Sequence, residues 1–152
     1  MIAAGQSDYV KQYLWTGDNN KYHGGVIKYD LDCVVGGYKS DTCDLWEDLR
    51  DADLFWNRAT MKKAMILGAN FATSMGDSNS ANSYINTRNA INSTLHNHYN
   101  GQFYEECKVR TYDGAVIVTF NDAFDESDGM FAPTDLEVAN TVSAYNNLYC
   151  SM

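Results

Sequence analysis

The stretch LFWNRATMKKAMILGANFATSM, residues 54–75, decides the fold class. Its apolar and small residues recur at helical spacing, which predicts a long helix with one face against a core. That face comprises Leu54, Met61, Met65, Gly68, Ala72 and Met75. Lys62 and Lys63 lie beside it, where we expect both to reach water. Gly68 and its small neighbours favour the close approach of a second helix, although glycine lowers helix propensity.

Two segments precede this stretch, and the second has helical spacing. The first runs from about Gln6 to Trp15 and breaks at the polar residues 16–20. The second follows Gly25 and ends at Gly36-Gly37. Its apolar positions fall on one helical face, formed by Ile27, Leu31, Val34, Val35 and Tyr38.

Two more helices are predicted downstream. The turn and cap cluster Asp77-Ser78-Asn79-Ser80 opens one that extends to about His98. Its spaced positions are Tyr84, Arg88, Ile91 and Leu95. Thr134-Asp135-Leu136-Glu137 has the form of a capping box and opens the last helix. The apolar face of that helix comprises Val138, Val142, Tyr145 and Tyr149.

Between these helices, residues Lys108 to Phe120 favour strands, and Asp113-Gly114 is a hairpin turn signal. The prediction is therefore a mainly α fold of about four helices with one short β-hairpin. At 152 residues the chain fits a single domain.

Composition excludes several classes of partner. The net charge is −9, with 11 basic against 20 acidic residues, which opposes binding to nucleic acid or an anionic membrane. A stretch of about 18 apolar residues, as a membrane-spanning helix needs, is absent from the sequence. The N-terminus lacks the pattern of a secretory signal, so we expect a cytosolic chain, a processed one, or one cut from a longer protein.

Cysteine and histidine spacing argues against a metal site. Cys33, Cys43, Cys107 and Cys150 show no C-x-x-C spacing, and their three possible pairings stay open. The three histidines form no metal-binding motif, and motifs for nucleotides, phosphoryl transfer or acyl transfer are missing. No metal and no cofactor are therefore expected. The even cysteine count and one sequon, at Asn92, favour an oxidising compartment weakly.

The acidic run Asp44-Leu45-Trp46-Glu47-Asp48 is the candidate for chemistry. Cleavage of a glycosidic bond needs a carboxylic acid to protonate the leaving oxygen and a carboxylate to activate water or attack the sugar. A tryptophan offers a face for a sugar ring, and low polarity with clustered charge raises a carboxyl pKa towards the acid role. The residues alone leave another interpretation open: a helix N-terminus whose acidic residues favour the dipole, with Trp46 in the core.

An ordered resemblance favours the first interpretation. The run Cys43-Asp44-Leu45-Trp46-Glu47-Asp48 resembles the Y-D-L-W-E-E motif of the fungal glucoamylases of glycoside hydrolase family 15. Before it, residues 26–35 resemble the family's preceding helix. After it, Phe55 to Thr73, Tyr99-Asn100-Gly101-Gln102-Phe103 and the helix from Ala139 to Tyr149 follow in the family's order. The resemblance covers nearly the whole chain.

The resemblance implies that residues 1–152 are part of a glucoamylase catalytic domain, with about four of the twelve helices of an (α/α)6 barrel. It implies an enzyme that releases glucose from non-reducing ends of starch-like α-1,4-glucans with inversion, secreted in the parent family. Glu47 matches the general acid and Asp44 a nearby active-site carboxylate, while the catalytic base belongs to a later segment. Leu45 and Trp46 match residues lining the glucose subsites, and Asp48 matches a substrate-binding glutamate that is one methylene longer.

Two alternatives remain beside this one. A catalytically incomplete chain would only bind α-glucan or malto-oligosaccharide. A related helical-barrel α-glucan phosphorylase would form glucose 1-phosphate instead of glucose.

Overall fold

The computed structural model describes residues 5–17, 25–43, 52–108, 131–132 and 134–149. Helix α1 spans Ser7–Tyr9 and continues as a π-helix over Val10–Thr16. The longer helices are α2 (Val26–Gly37), α3 (Phe55–Ser74), α4 (Ser78–Leu95) and α5 (Leu136–Tyr149), with a 3-10 turn at His96–His98. The mainly helical prediction with four principal helices is confirmed. The predicted hairpin at 108–120 lies, apart from Lys108, outside the described residues.

Helix α3 forms the centre of the core. Of the predicted face, Leu54, Met65, Gly68, Ala72 and Met75 are buried and Met61 is partly buried, so the face is confirmed. Phe55 and Ala59 are buried as well. The expectation for Lys62 was wrong, because its residue is only 4% exposed. Its ammonium lies 5.3 Å from the centroid of the Phe131 ring, so this cation faces aromatic carbon.

Helices α3 and α4 form an αα-hairpin, the most extensive helix pair of the described chain. The turn between them uses Gly76 at a φ of +79°, a conformation that glycine adopts without a steric penalty. Asp77 then caps α4 as predicted: its carboxylate accepts hydrogen bonds from the Ser80 backbone N–H at 3.0 Å and the Ser80 hydroxyl at 2.8 Å.

Helix α2 packs against this hairpin through the predicted face, whose five apolar residues are all partly buried against the core. The close approach expected at Gly68 is confirmed, because a Cβ there would lie 2.7 Å from Leu31 Cδ2. Polar contacts between α2 and α4 accompany this packing. The buried Tyr84 hydroxyl on α4 donates to Asp32 Oδ1 at 2.8 Å, and Lys28 pairs with the other carboxylate oxygen at 2.8 Å.

The N-terminal helix contributes Val10 and Trp15 to the core. Trp15 packs edge to face on Phe71 and Tyr84. The Gly25 N–H donates to the Trp15 carbonyl at 2.7 Å, so the start of α2 is fixed against the end of the first segment.

Helix α5 begins at Leu136, and the expected capping box does not form. Asp135 instead occupies the cap position: its carbonyl accepts from the Ala139 N–H at 3.0 Å and its carboxylate from the Ala132 N–H at 2.9 Å. Glu137 accepts a hydrogen bond from the Tyr104 hydroxyl. The predicted apolar face is buried at Val138, half-buried at Val142 and 39% exposed at Tyr145.

Within the described ranges, every helix is too short or too polar to traverse a lipid bilayer. Cys33 and Cys43 are exposed free thiols, and Cys107 is a buried one.

Candidate active site at the ends of the acidic segment

The predicted site residues Asp44, Leu45, Trp46, Glu47 and Asp48 lie outside the described residues. Their roles therefore stay predictions. The structure describes both ends of the segment that carries them, up to Cys43 and from Ala52 onward. The candidate site is built here from those ends and from the residues that hold them.

An antiparallel bridge joins the two ends. The Thr42 N–H donates to the Ala52 carbonyl at 3.0 Å, and the Ala52 N–H donates back to the Thr42 carbonyl at 3.2 Å. The acidic segment, residues 43–51, therefore leaves and rejoins the described structure at two paired residues.

Asn57, in the first turn of α3, holds the incoming end. Its side-chain amide donates to the Thr42 hydroxyl and, at 2.8 Å, to the Cys43 carbonyl. One side chain thus binds two consecutive residues at the point where the acidic segment begins.

Arg58, the next residue of α3, reaches both ends. Its Nε donates to Asp53 Oδ1 at 2.7 Å, and one terminal nitrogen lies 3.4 Å from the Ser40 carbonyl oxygen. The arginine is 8% exposed, and a guanidinium this deep in a protein needs a charged partner. Asp53 supplies that partner, directly after the bridge residue Ala52.

The start of α3 is fixed from the other side by Glu106. Its backbone carbonyl accepts from the Phe55 N–H at 2.8 Å, and its carboxylate lies 3.2 Å from the Trp56 N–H through either oxygen. A carboxylate here satisfies free N–H groups and favours the positive end of the helix dipole. The N-terminal turn of α3 is therefore held by Glu106 on one side and bonded through Asn57 and Arg58 to both ends of the acidic segment on the other.

A cleft of about 630 Å³ opens beside this turn. Its lining residues are Ala52, Asp53, Asn97, His98, Glu105, Cys107 and Lys108. Between the lining residues His98 and Glu105, the resemblance motif at residues 99–103 forms a tight turn in which Asn100 Oδ1 accepts from the Gln102 and Phe103 N–H groups. The Asn100 amide in turn donates to Glu105 at 2.8 Å. Polar side chains on a cleft of this size suit a hydroxyl-rich ligand.

Sequence reasoning missed the supporting residues Asp53, Asn57, Arg58 and His98. One signal was available: Arg58 lies four residues after Leu54, on the same apolar helix face, where a cation needs an acidic partner. Asn57 and His98 gave no comparable signal, because their partners come from distant parts of the chain. In the described ranges, His, Cys, Asp and Glu side chains form no group of three that could hold a metal ion.

Comparison with known proteins decides the family. The model of glycosyl hydrolases family 15 matches residues 1–148. The chain belongs to glycosyl hydrolases family 15. Family 15 membership and the mainly helical structure agree with the predicted part of an (α/α)6 barrel.

Curated relatives within family 15 are similar over part of their length. The glucoamylase of Blastobotrys adeninivorans is 40% identical over 74 residues, which are 48% of this chain and 11% of that protein. Glucoamylase-1 of Schizophyllum commune is 30% identical over 100 residues, 66% of this chain and 15% of that protein. Glucoamylase 1 of Rhizopus oryzae is 33% identical over 87 residues, 55% of this chain and 14% of that protein.

The chain thus spans about a seventh or less of the length of these relatives. No solved structure matches it.

Proposed function

We propose that this chain carries the acid half of a glucoamylase site, which releases glucose from the non-reducing ends of starch-like α-1,4-glucans with inversion. The observation that carries the proposal is the family 15 match over residues 1–148, which includes the acidic run at 44–48. The similarity to three proteins named glucoamylase supports the same substrate class. Residues 1–152 are then part of a catalytic domain, and the parent protein is secreted.

In this proposal Glu47 is the general acid. Its carboxyl group gives a proton to the glycosidic oxygen as the bond to the anomeric carbon breaks. A carboxylate elsewhere in the catalytic domain takes a proton from the water that attacks the opposite face of the sugar. In inverting enzymes those two carboxyl groups lie about 6.5–9.5 Å apart, which leaves room for the water. The product from an α-linked substrate is β-glucose.

The other residues of the run bind the sugar or influence the protonation of Glu47. Asp44 is the neighbouring carboxylate, whose negative charge favours a protonated Glu47. Leu45 and Trp46 line the glucose subsites, and the Trp46 ring offers an apolar face to a sugar. Asp48 binds a sugar hydroxyl. Support for this arrangement comes from the paired ends at Thr42 and Ala52, which present the run from a fixed base.

The test is glucose release from maltose and soluble starch, by this chain and by a chain extended at both ends. We expect Glu47→Gln to lower the rate of the active form by about 10²–10⁴-fold, the usual contribution of a general acid. NMR of the fresh product should show the β-anomer first. Asp30→Asn, an exposed carboxylate on α2, is the matched control and should leave the rate unchanged. An active form indifferent to Glu47→Gln would contradict the assignment of the acid.

A second candidate function is binding without cleavage. It applies where residues 1–152 act without the proposed base, because inversion needs a second carboxyl group on the opposite face of the sugar. A maltose titration followed by tryptophan fluorescence, in the wild type and in Trp46→Phe, separates the two cases. Saturable quenching without glucose release supports binding alone, whereas release of glucose by the chain excludes it.

A further inference from the structure

The imidazole of His98 is buried, and one of its two nitrogens, Nε2, lacks a hydrogen bond within the described ranges. The residue is 8% exposed, and its ring packs edge to face on Phe55 at a centroid distance of 5.6 Å. Proteins satisfy nearly all buried polar atoms, so an exception of this kind calls for a physical reason.

The nearest acidic atom to this nitrogen is Asp53 Oδ1, at 3.6 Å. That separation is too long for a hydrogen bond but short for two groups of opposite charge. The same oxygen accepts the 2.7 Å hydrogen bond from Arg58 Nε. Asp53 therefore lies between a permanent cation and a side chain that becomes a cation when it gains a proton.

We propose that Asp53, Arg58 and His98 form a proton-dependent clamp that fixes both ends of the acidic segment. In a neutral imidazole only one ring nitrogen carries a proton, whereas both donate in the imidazolium. The imidazolium attracts the Asp53 carboxylate, and a shift of less than about 1 Å brings the two atoms within hydrogen-bond distance. Imidazole is the side chain that changes charge between about pH 5 and 8, so the clamp tightens in weak acid.

Charged groups around the cleft beside His98 come from several elements. Asp53, Glu105 and Lys108 line the cleft, and Arg58 donates to Asp53. The Glu106 carboxylate lies on the Trp56 N–H at the start of α3. The Cys107 thiol lines the same cleft. His96, on the same 3-10 turn, is directed elsewhere, towards Tyr104 and Glu137.

The clamp acts on the acidic segment through its ends. Asp53 directly follows Ala52, whose N–H and carbonyl both pair with Thr42. Arg58 also reaches Ser40, two residues before Thr42 on the other side. Holding Asp53 more tightly therefore stabilises the bridge on both sides. His98 is then a positioning residue for the acid of the proposed function, and only this last step rests on that function.

The Ala52 amide reports the state of the clamp. We propose hydrogen exchange on the full chain between pH 5 and 8, with each rate divided by the intrinsic rate at that pH. The protection of Ala52 should be about two- to fivefold higher at pH 5 than at pH 8, as expected for a partly exposed charge pair. The protection of Ile91, in the core of α4, should stay constant.

Two variants separate the clamp from general stability. His98→Gln keeps a neutral donor, and Asp53→Asn removes the charge that it would meet. Both should abolish the pH dependence of Ala52 protection. A wild-type pH dependence that persists in either variant, or an equal change at Ile91, overturns the proposal.

Hydrogen exchange at Ala52 needs no catalysis, so the clamp can be tested even if the chain releases no glucose. Conversely, a failed clamp experiment does not bear on the glucose-release test of the proposed function. Where glucose release is measured, His98→Gln should lower kcat at pH 5 more than at pH 7.5 and leave KM unchanged, because the acid is misplaced while the sugar contacts remain. Equal effects on kcat at both pH values would show that His98 has a structural role only.

Discussion

At the scale of single residues, Lys62 is the costliest side chain in the core. Burial lowers its pKa from 10.5 to about 8, with Arg88 adding repulsion and Asp135 opposing it. The unfolded chain therefore binds more protons between pH 8 and 10.5, so the lysine's destabilising effect is complete below pH 8 and fades as the pH rises towards 10.5. Lys62→Met should stabilise the protein at pH 7 by about 1–3 kcal/mol after allowance for solvent screening.

Urea unfolding of both proteins at pH 7 and pH 10 checks this prediction. The advantage of Lys62→Met should shrink at pH 10, because the wild-type lysine loses its proton. The same substitution at Lys63, which is only half-buried, is the control and should give a smaller change at pH 7. A Lys62→Met variant less stable than wild type at pH 7 would show that the contact with Phe131 outweighs the cost of burial.

Asp77 behaves in the opposite way. Its hydrogen bonds with Ser80, first of all the one from the backbone N–H, lower the pKa of its carboxyl group below 3.8. The stabilisation it gives is present above the unfolded pKa and is lost as the pH falls through the folded one. Asp77→Ala should cost about 1 kcal/mol at pH 7 and less once the pH has fallen through the folded pKa, measured by thermal unfolding. Asp77→Asn should keep most of the cap at both pH values, and equal loss in both variants would contradict a capping role.

At the scale of elements, three glycines form a graded series. A Cβ at Gly25 would lie 2.2 Å from the Leu14 carbonyl carbon, so backbone must move. We expect Gly25→Ala to cost about 3 kcal/mol or more. At Gly68 the obstacle is the end of the flexible Leu31 side chain, and the gain in helix propensity of about 1 kcal/mol offsets part of the clash. At Gly36 nothing lies within 4 Å, so alanine should be neutral or stabilising.

Chemical unfolding of the three variants should rank them in this order, from most to least destabilised. A Gly25→Ala protein as stable as Gly36→Ala would refute the packing of α2 on the N-terminal segment.

At the scale of the whole molecule, Tyr104 joins the last helix to the rest of the protein. Its ring is fully buried and contacts Phe55 and Phe131. Its hydroxyl donates to Glu137, and its N–H donates to the Thr141 hydroxyl at 3.0 Å. Tyr104→Phe keeps the ring and should cost about 1.5–3 kcal/mol, the value of a hydrogen bond to a charged group.

Hydrogen exchange should show this loss mainly in α5. Tyr9→Phe is the matched control, because that tyrosine is 49% exposed and water can satisfy the freed site. Destabilisation of α3 and α4 without a change in α5 would show that Tyr104 supports the core and does not dock the helix.

The sequence by itself determined the helices, because apolar periodicity and caps are local properties. The face Ile27, Leu31, Val34, Val35 and Tyr38, the cap at Asp77 and the close approach at Gly68 could all be predicted. The sequence also indicated the family, because the order of the motifs can be read from the chain alone.

Only the tertiary structure decided which polar residues are buried and what they meet. Lys62 faces Phe131, Glu106 caps a helix that begins about 50 residues earlier, and Glu137 faces Tyr104 instead of closing a capping box. His98 also reaches Asp53 only when the start of α3 meets the end of α4. These partners are far apart along the chain, so the free energy of each contact depends on distances that no local pattern encodes.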